Sequence, residues 1–189
     1  DISFFTPQYV TLMPGNRWLP SAGSDVPLAD SRTRPDDFFA IDLEVEIPNG
    51  WLVAGPGPRQ VVDASTEDVR FRFQPAASVP AVGLFASRFE RRVMNVAGVE
   101  LELLLHPGHD RNLSFFADTT EALRERLEEL LTRAANLDLP YPYECLTLVE
   151  TPNRLRSYGG GWRMDTVQTL PGVMLVKESS FPTSRFEIE

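Results

Sequence analysis

From Phe39 to Ile47 apolar and polar residues alternate. Phe39, Ile41, Leu43, Val45 and Ile47 share one face, and Asp42, Glu44 and Glu46 share the other. A period of two places neighbouring side chains on opposite sides of a pleated backbone, so this segment predicts a half-buried strand. Pro48-Asn49-Gly50 supplies a turn, because Asn and Gly accept positive φ at little cost. Trp51-Leu52-Val53 resumes the extended pattern until Gly55-Pro56-Gly57-Pro58 interrupts it. Gln60–Val62 and Val69–Phe73 give two more short strands around a polar turn. Up to about residue 80 the pattern predicts an antiparallel meander, at the strand spacing of a sandwich. The Pro/Ala/Ser stretch Pro75–Pro80 marks a boundary. Strand patterns resume over Gly83–Arg91 and Gly98–Leu105, where Val99, Leu101, Leu103 and Leu105 alternate with Glu100 and Glu102.

One helix follows. Asp118-Thr119-Thr120-Glu121 has the form of a capping box, in which Asp118 accepts from the N3 amide and Glu121 reaches back to the cap amide. Leu123, Leu127, Leu130, Leu131 and Ala134 recur at helical spacing and form one apolar stripe. Leu127 and Leu130 are expected to face a sheet, Arg124 the solvent, and Glu129 and Arg133 to pair at i,i+4. Pro140 and Pro142 forbid continuation beyond Leu139. Two further strands, Cys145–Glu150 and Val173–Lys177, flank the Gly-rich stretch Ser157–Asp165. The predicted class is therefore α+β and β-rich: a β-sandwich-like part, then a mixed sheet with one amphipathic helix.

Composition changes this picture little. The chain has 189 residues, 42% of them hydrophobic and 24% charged, as an ordinary globular protein does. A formal net charge of −9 argues against nucleic acid as a partner, since phosphates would repel this surface. Cys145 is the sole cysteine, so no intramolecular disulfide forms. No apolar run approaches the roughly 20 residues of a membrane helix, so direct membrane insertion by this segment is not expected. The compartment is not legible. The ends, Asp1-Ile2-Ser3 and Phe186-Glu187-Ile188-Glu189, read as cuts, so the chain is expected to be a piece of a larger protein and to have the rest of that protein as a partner.

Candidate chemistry is sparse. His106 and His109 frame Leu105-His106-Pro107-Gly108-His109-Asp110, but H-E-x-x-H zinc sites need their two His one helical turn apart. Pro-Gly makes a turn instead, so a polar loop without metal is expected. Cys145 lies inside an apolar strand pattern and reads as a buried structural thiol. No nucleophile elbow, phosphate loop or dinucleotide fingerprint is present. Tyr141 and Tyr143 are expected to pack where helix hands over to strand. The run Gly159-Gly160-Gly161 has two readings, a mobile surface loop or a binding element that a second backbone approaches closely.

The order of these features resembles the zinc aminopeptidases of the aminopeptidase N type, the gluzincins. The residues that carry the resemblance are the Leu-rich helix, Leu139-Pro140-Tyr141-Pro142-Tyr143-Glu144-Cys145-Leu146-Thr147-Leu148-Val149-Glu150-Thr151-Pro152, and the Gly-rich stretch with Met164-Asp165. The strand ending Val176-Lys177-Glu178 completes it. That family carries a similar Tyr-Pro-Tyr segment and then a Gly-x-Met-Glu-Asn substrate loop. Residues 119–178 match best. Arg17-Trp18-Leu19-Pro20 and the strand from Phe38 to Ile47 look like the close of the family's N-terminal β domain.

The resemblance implies two units: residues 1–82 as part of a β-sandwich-like domain, and 83–189 as the first part of a thermolysin-like catalytic domain, ending before the zinc motif. It implies no catalytic residue and no metal ligand in this chain, with zinc expected only where the parent protein carries a downstream H-E-x-x-H. It assigns substrate binding to Gly160, Gly161, Met164 and Asp165, with peptide as the partner. Asp165 stands where the family has a Glu that holds the substrate's free amine, and Thr166 replaces its Asn. The alternative is a non-catalytic peptide- or partner-binding domain of a bacterial membrane protein, since gluzincin-like regions also occur attached to ABC-transporter permeases.

Overall fold

The computed structural model describes residues 4–14, 18–20, 38–109, 117–152 and 170–177. Eleven strands and one helix lie within them: β1 (Phe4–Phe5), β2 (Tyr9–Leu12), β3 (Leu43–Pro48), β4 (Leu52–Ala54), β5 (Arg59–Ala64), β6 (Asp68–Phe73), β7 (Leu84–Ser87), β8 (Glu90–Val96), β9 (Val99–Leu105), α1 (Ala117–Asn136), β10 (Cys145–Thr151) and β11 (Val173–Lys177). They form three sheets, ordered β3-β6-β5, β1-β2-β7-β4 and β11-β10-β9-β8. The first two are antiparallel. The third is mixed: β9, β10 and β11 run parallel, and β8 pairs antiparallel with β9. The predicted class, a β-sandwich-like part followed by a mixed sheet and one helix, is the one observed.

The hydrophobic pattern explains the stacking. Trp51, Val53, Val69, Phe71, Phe73, Leu84 and Ala86 bury one core between the first two sheets, joined by Leu43, Val45 and Ile47 from β3. Tyr9, Met13, Ala54, Phe85, Leu104, Val149 and Val173 bury a second core between the middle sheet and the mixed sheet. Val96, Leu101 and Leu148 form a third under α1, with Leu127 and Leu131 packed on it. The middle sheet is covered on both faces, so all four residues of β7 are buried. The alternation in β7 sends Leu84 and Ala86 one way and Phe85 the other.

The expected meander is corrected. β5 and β6 form a hairpin and β3 returns to β6, but β4 leaves for β7 in the middle sheet. Gly55, Pro56 and Gly57, which look like a surface break, are buried at this change of sheet. Gly172 has φ +70, and a Cβ there would lie 3.0 Å from the Gly57 backbone nitrogen, so this approach between chain segments requires glycine. Asn49-Gly50 turns as predicted, with Gly50 at φ +82. The stretch Gly83–Arg91 divides into β7 and β8.

The helix face needs a second correction. Leu130 is 41% exposed, while Leu127 and Leu131 meet the sheet. Leu127, Leu131 and Ala134 follow i, i+4 and i+7, and Leu130 is rotated about 60° off that line. Leu127→Ala is therefore expected to cost on the order of 1–2 kcal/mol, and Leu130→Ala within about 0.5 kcal/mol, in urea melts. Arg124 is on the solvent side as expected, paired with Glu121 and Glu128. Its hydrogen bond holds the Glu121 carboxyl below the usual range. Glu129 pairs with Arg126, at i,i+3, in place of the expected Arg133. The helix already includes Ala117, so Asp118 lies within its first turn and not at the expected cap position; the side chains of Asp118 and Leu123 lie outside the described residues.

The β8–β9 hairpin turns at Ala97-Gly98, both with positive φ (51° and 83°). The Asn95 side-chain oxygen accepts from the Gly98 amide at 3.2 Å. An alanine in the left-handed region is strained, so Ala97→Gly is expected to raise stability by about 0.5–1 kcal/mol, read as a higher urea midpoint at unchanged slope.

Candidate functional site

Sequence patterning treats charged residues within strands as solvated. Two glutamates here are buried instead. The first is Glu102 in β9, 5% exposed. Arg59 Nη2 lies 2.5 Å from its Oε1, Arg91 Nε lies 2.5 Å from the same oxygen, and Thr147 Oγ1 donates to Oε2 at 3.2 Å. Arg59 also donates to the Val53 carbonyl at 2.7 Å and stacks over Phe71. This cluster joins β5 of the first sheet to β9 and β10 of the mixed sheet. It corrects the reading of Glu102 as part of a polar strand face: within β9 only Glu100 is exposed.

The second is Glu150, fully buried near the end of β10. The His106 amide donates to its Oε2 at 2.8 Å, and His109 Nδ1 lies 2.5 Å from its Oε1. An ionised carboxylate only accepts, so the imidazole carries its proton on Nδ1 in this contact. The rings of Tyr9, Phe89, His106 and His109 pack together at centroid separations of 5.7–6.0 Å, Tyr9 on Phe89 and His106 on His109 T-shaped, the other two pairs tilted. Glu90 accepts from the Gly108 amide at 3.2 Å. The Tyr9 hydroxyl is raised above the ordinary phenol value, by burial first and then by the charge of Glu150. The cluster lies at the carboxyl ends of the parallel strands β9 and β10, which is where open parallel sheets carry ligand sites.

The two histidines do converge, although their Pro-Gly turn did not require it. Their rings meet at 5.9 Å, and Glu150 takes Nδ1 of the His109 ring and the backbone amide of His106. Among the described residues no group of three His, Cys, Asp or Glu is placed to hold a metal ion. No helix among them is long and apolar enough to cross a membrane.

Gly160, Gly161, Met164 and Asp165, and the whole Gly159–Asp165 stretch, lie outside the described residues. What is described is their frame: β10 and β11 run parallel, with Thr147 opposite Val173 and Thr151 opposite Lys177. Tyr141 and Tyr143 pack against each other between helix and β10 as expected, and the Tyr141 hydroxyl donates to the Cys145 carbonyl at 3.1 Å. Cys145 is buried, and burial pushes its thiol up to about 11, helped by the charges of Glu102 and Glu100. Cys145 is expected to resist iodoacetamide at neutral pH in the folded protein and to react in denaturant; equal rates in both would contradict its burial.

No protein-family model matches the chain, and no curated protein does. Solved structures do. An M1 zinc metallopeptidase from Deinococcus radiodurans matches with a TM-score of 0.57 at 14% identity, over 97% of this chain and 38% of that enzyme. A point mutant of it matches equally well, over 94% of this chain and 37% of the other. Nearly the whole chain shares its fold with part of that enzyme. At 14% identity this likeness concerns the fold alone, and the chain spans well under half of the M1 enzyme's length.

Proposed function

We propose that this chain is the part of an aminopeptidase-N-type zinc metallopeptidase that supplies the substrate-side sheet and loop. The carrying observation is the match of 94–97% of the chain to 37–38% of an M1 zinc metallopeptidase. In this reading the catalytic zinc and its activated water belong to the remainder of the parent protein. No step of hydrolysis is assigned to this chain, among whose described residues no group of three His, Cys, Asp or Glu is placed to hold a metal ion. The chain's role is to position a peptide, with Gly160 and Gly161 admitting its backbone and Met164 and Asp165 contacting its amino end.

The test is hydrolysis of aminoacyl arylamides by the full-length parent protein. Turnover that a chelator abolishes is expected. Asp165→Ala should lower kcat/KM roughly 10- to 100-fold, the effect of losing a hydrogen bond to a charged group. A full-length protein that binds no zinc and turns over no arylamide would instead favour a non-catalytic domain, such as one attached to a membrane transporter.

A further inference from the structure

The Glu150 cluster belongs to no step of the proposed function. Both carboxylate oxygens of Glu150 face donors: Oε2 the His106 amide, Oε1 the His109 Nδ1. Glu150 is fully buried, while the His109 side chain is 30% exposed, so solvent reaches the pair only from the histidine side. The two donors flank the turn closed by His109 N–H donating to the His106 carbonyl at 3.0 Å. One carboxylate therefore ties the exit of β9, on the way to α1, to the end of β10.

We propose that Glu150 is a proton-operated latch, which when ionised holds the 106–109 turn on the end of β10 and when protonated lets that turn go. Adding a proton to either oxygen sets an O–H against a group that also donates. The carboxylic acid then loses one of the two contacts and the charge that strengthens both. The latch is therefore closed while Glu150 is ionised and lost when the carboxylate takes up a proton.

Other groups packed around the turn, Tyr9, Phe89 and Glu90, supply no positive charge to hold it once Glu150 is neutral. Tyr9 comes from β2 and stays neutral, since its hydroxyl is shifted upward. Glu90 comes from β8 and holds the Gly108 amide of the same turn. Phe89, packed on His106, offers no compensating charge.

The experiment is hydrogen exchange of the full-length protein followed by mass spectrometry, over peptides covering 105–109, from about pH 7 to about pH 4, the range in which imidazole and carboxyl groups titrate. Rates are corrected for intrinsic pH dependence, and peptides from 99–104 within β9 serve as the internal reference. In the wild type, protection over 105–109 should fall by about tenfold or more toward acid while β9 stays protected. Glu150→Gln mimics the protonated acid in shape, with one donor and one acceptor. It should show the acid rate already at neutral pH and lose the pH dependence. Glu90→Gln should keep it. Should Glu150→Gln fail to fold, the wild-type profile and the Glu90→Gln control still decide. Protection over 105–109 that tracks β9 at every pH, or acid opening abolished by Glu90→Gln, overturns the latch.

Discussion

Glu102→Ala is expected to lower the stability of the chain by about 3–5 kcal/mol, the cost of leaving a buried charge without its partner. The charge left behind is Arg59, whose side chain is 10% exposed in contact with a carboxylate that is 6% exposed. Arg91, 45% exposed, recovers water and adds little to the loss. Arg59 keeps its bond to the Val53 carbonyl, and that single neutral acceptor does not compensate a guanidinium. The substitution acts between sheets, so the first sheet should loosen from the mixed sheet before either sheet melts. Glu102→Gln retains shape and one acceptor and should cost less. Urea unfolding followed by both tryptophan fluorescence and far-ultraviolet dichroism checks this. A loss below about 1 kcal/mol, the level of a surface pair, would show that Arg59 and Glu102 are solvated.

Phe85→Ala should cost a similar amount, about 3–5 kcal/mol, through the cavity it leaves. Phe85 is fully buried at the centre of the middle sheet and meets the core shared with Leu104, Val149 and Val173. Its neighbours come from several strands held in register, so the site cannot collapse to fill the space. Phe39→Ala, at a position 38% exposed, is the matched control and should stay within about 1 kcal/mol. Equal effects of the two would refute the layered arrangement.

The contrast between these two phenylalanines also shows how far the sequence could be read. Period-two alternation identified β3 because one of its faces is wet, so Leu43, Val45 and Ile47 stand out from Glu44 and Glu46. It described β7 less well. Leu84, Phe85, Ala86 and Ser87 are buried on both faces, and a strand without a wet face has no alternation to read. The Gly55–Pro58 break was visible as a break, but nothing local shows that the chain there changes sheets inside the protein.

The helix was legible from its stripe, whereas Leu130 was not separable from Leu127 by spacing alone. Both flank the same seam, and the sheet's position decides between them. The buried carboxylates were the least legible. Glu102 and Glu150 look like any strand glutamate until partners distant in sequence, Arg59 and His109, arrive beside them. The one available signal was a glutamate ending the apolar run Leu146–Val149 close in space to no visible counter-charge, and sequence alone does not identify the counter-charge.

The resemblance to aminopeptidase N and the M1 zinc metallopeptidase fold agree on architecture, and zinc stoichiometry tests their functional extension most directly. Elemental analysis should be run on this 189-residue chain and on its full-length parent after zinc incubation and removal of free metal. The account predicts one zinc per full-length protein and none on the chain alone, among whose described residues no group of three His, Cys, Asp or Glu is placed to hold a metal. One tightly held zinc on the isolated chain, or none on the parent, would contradict it.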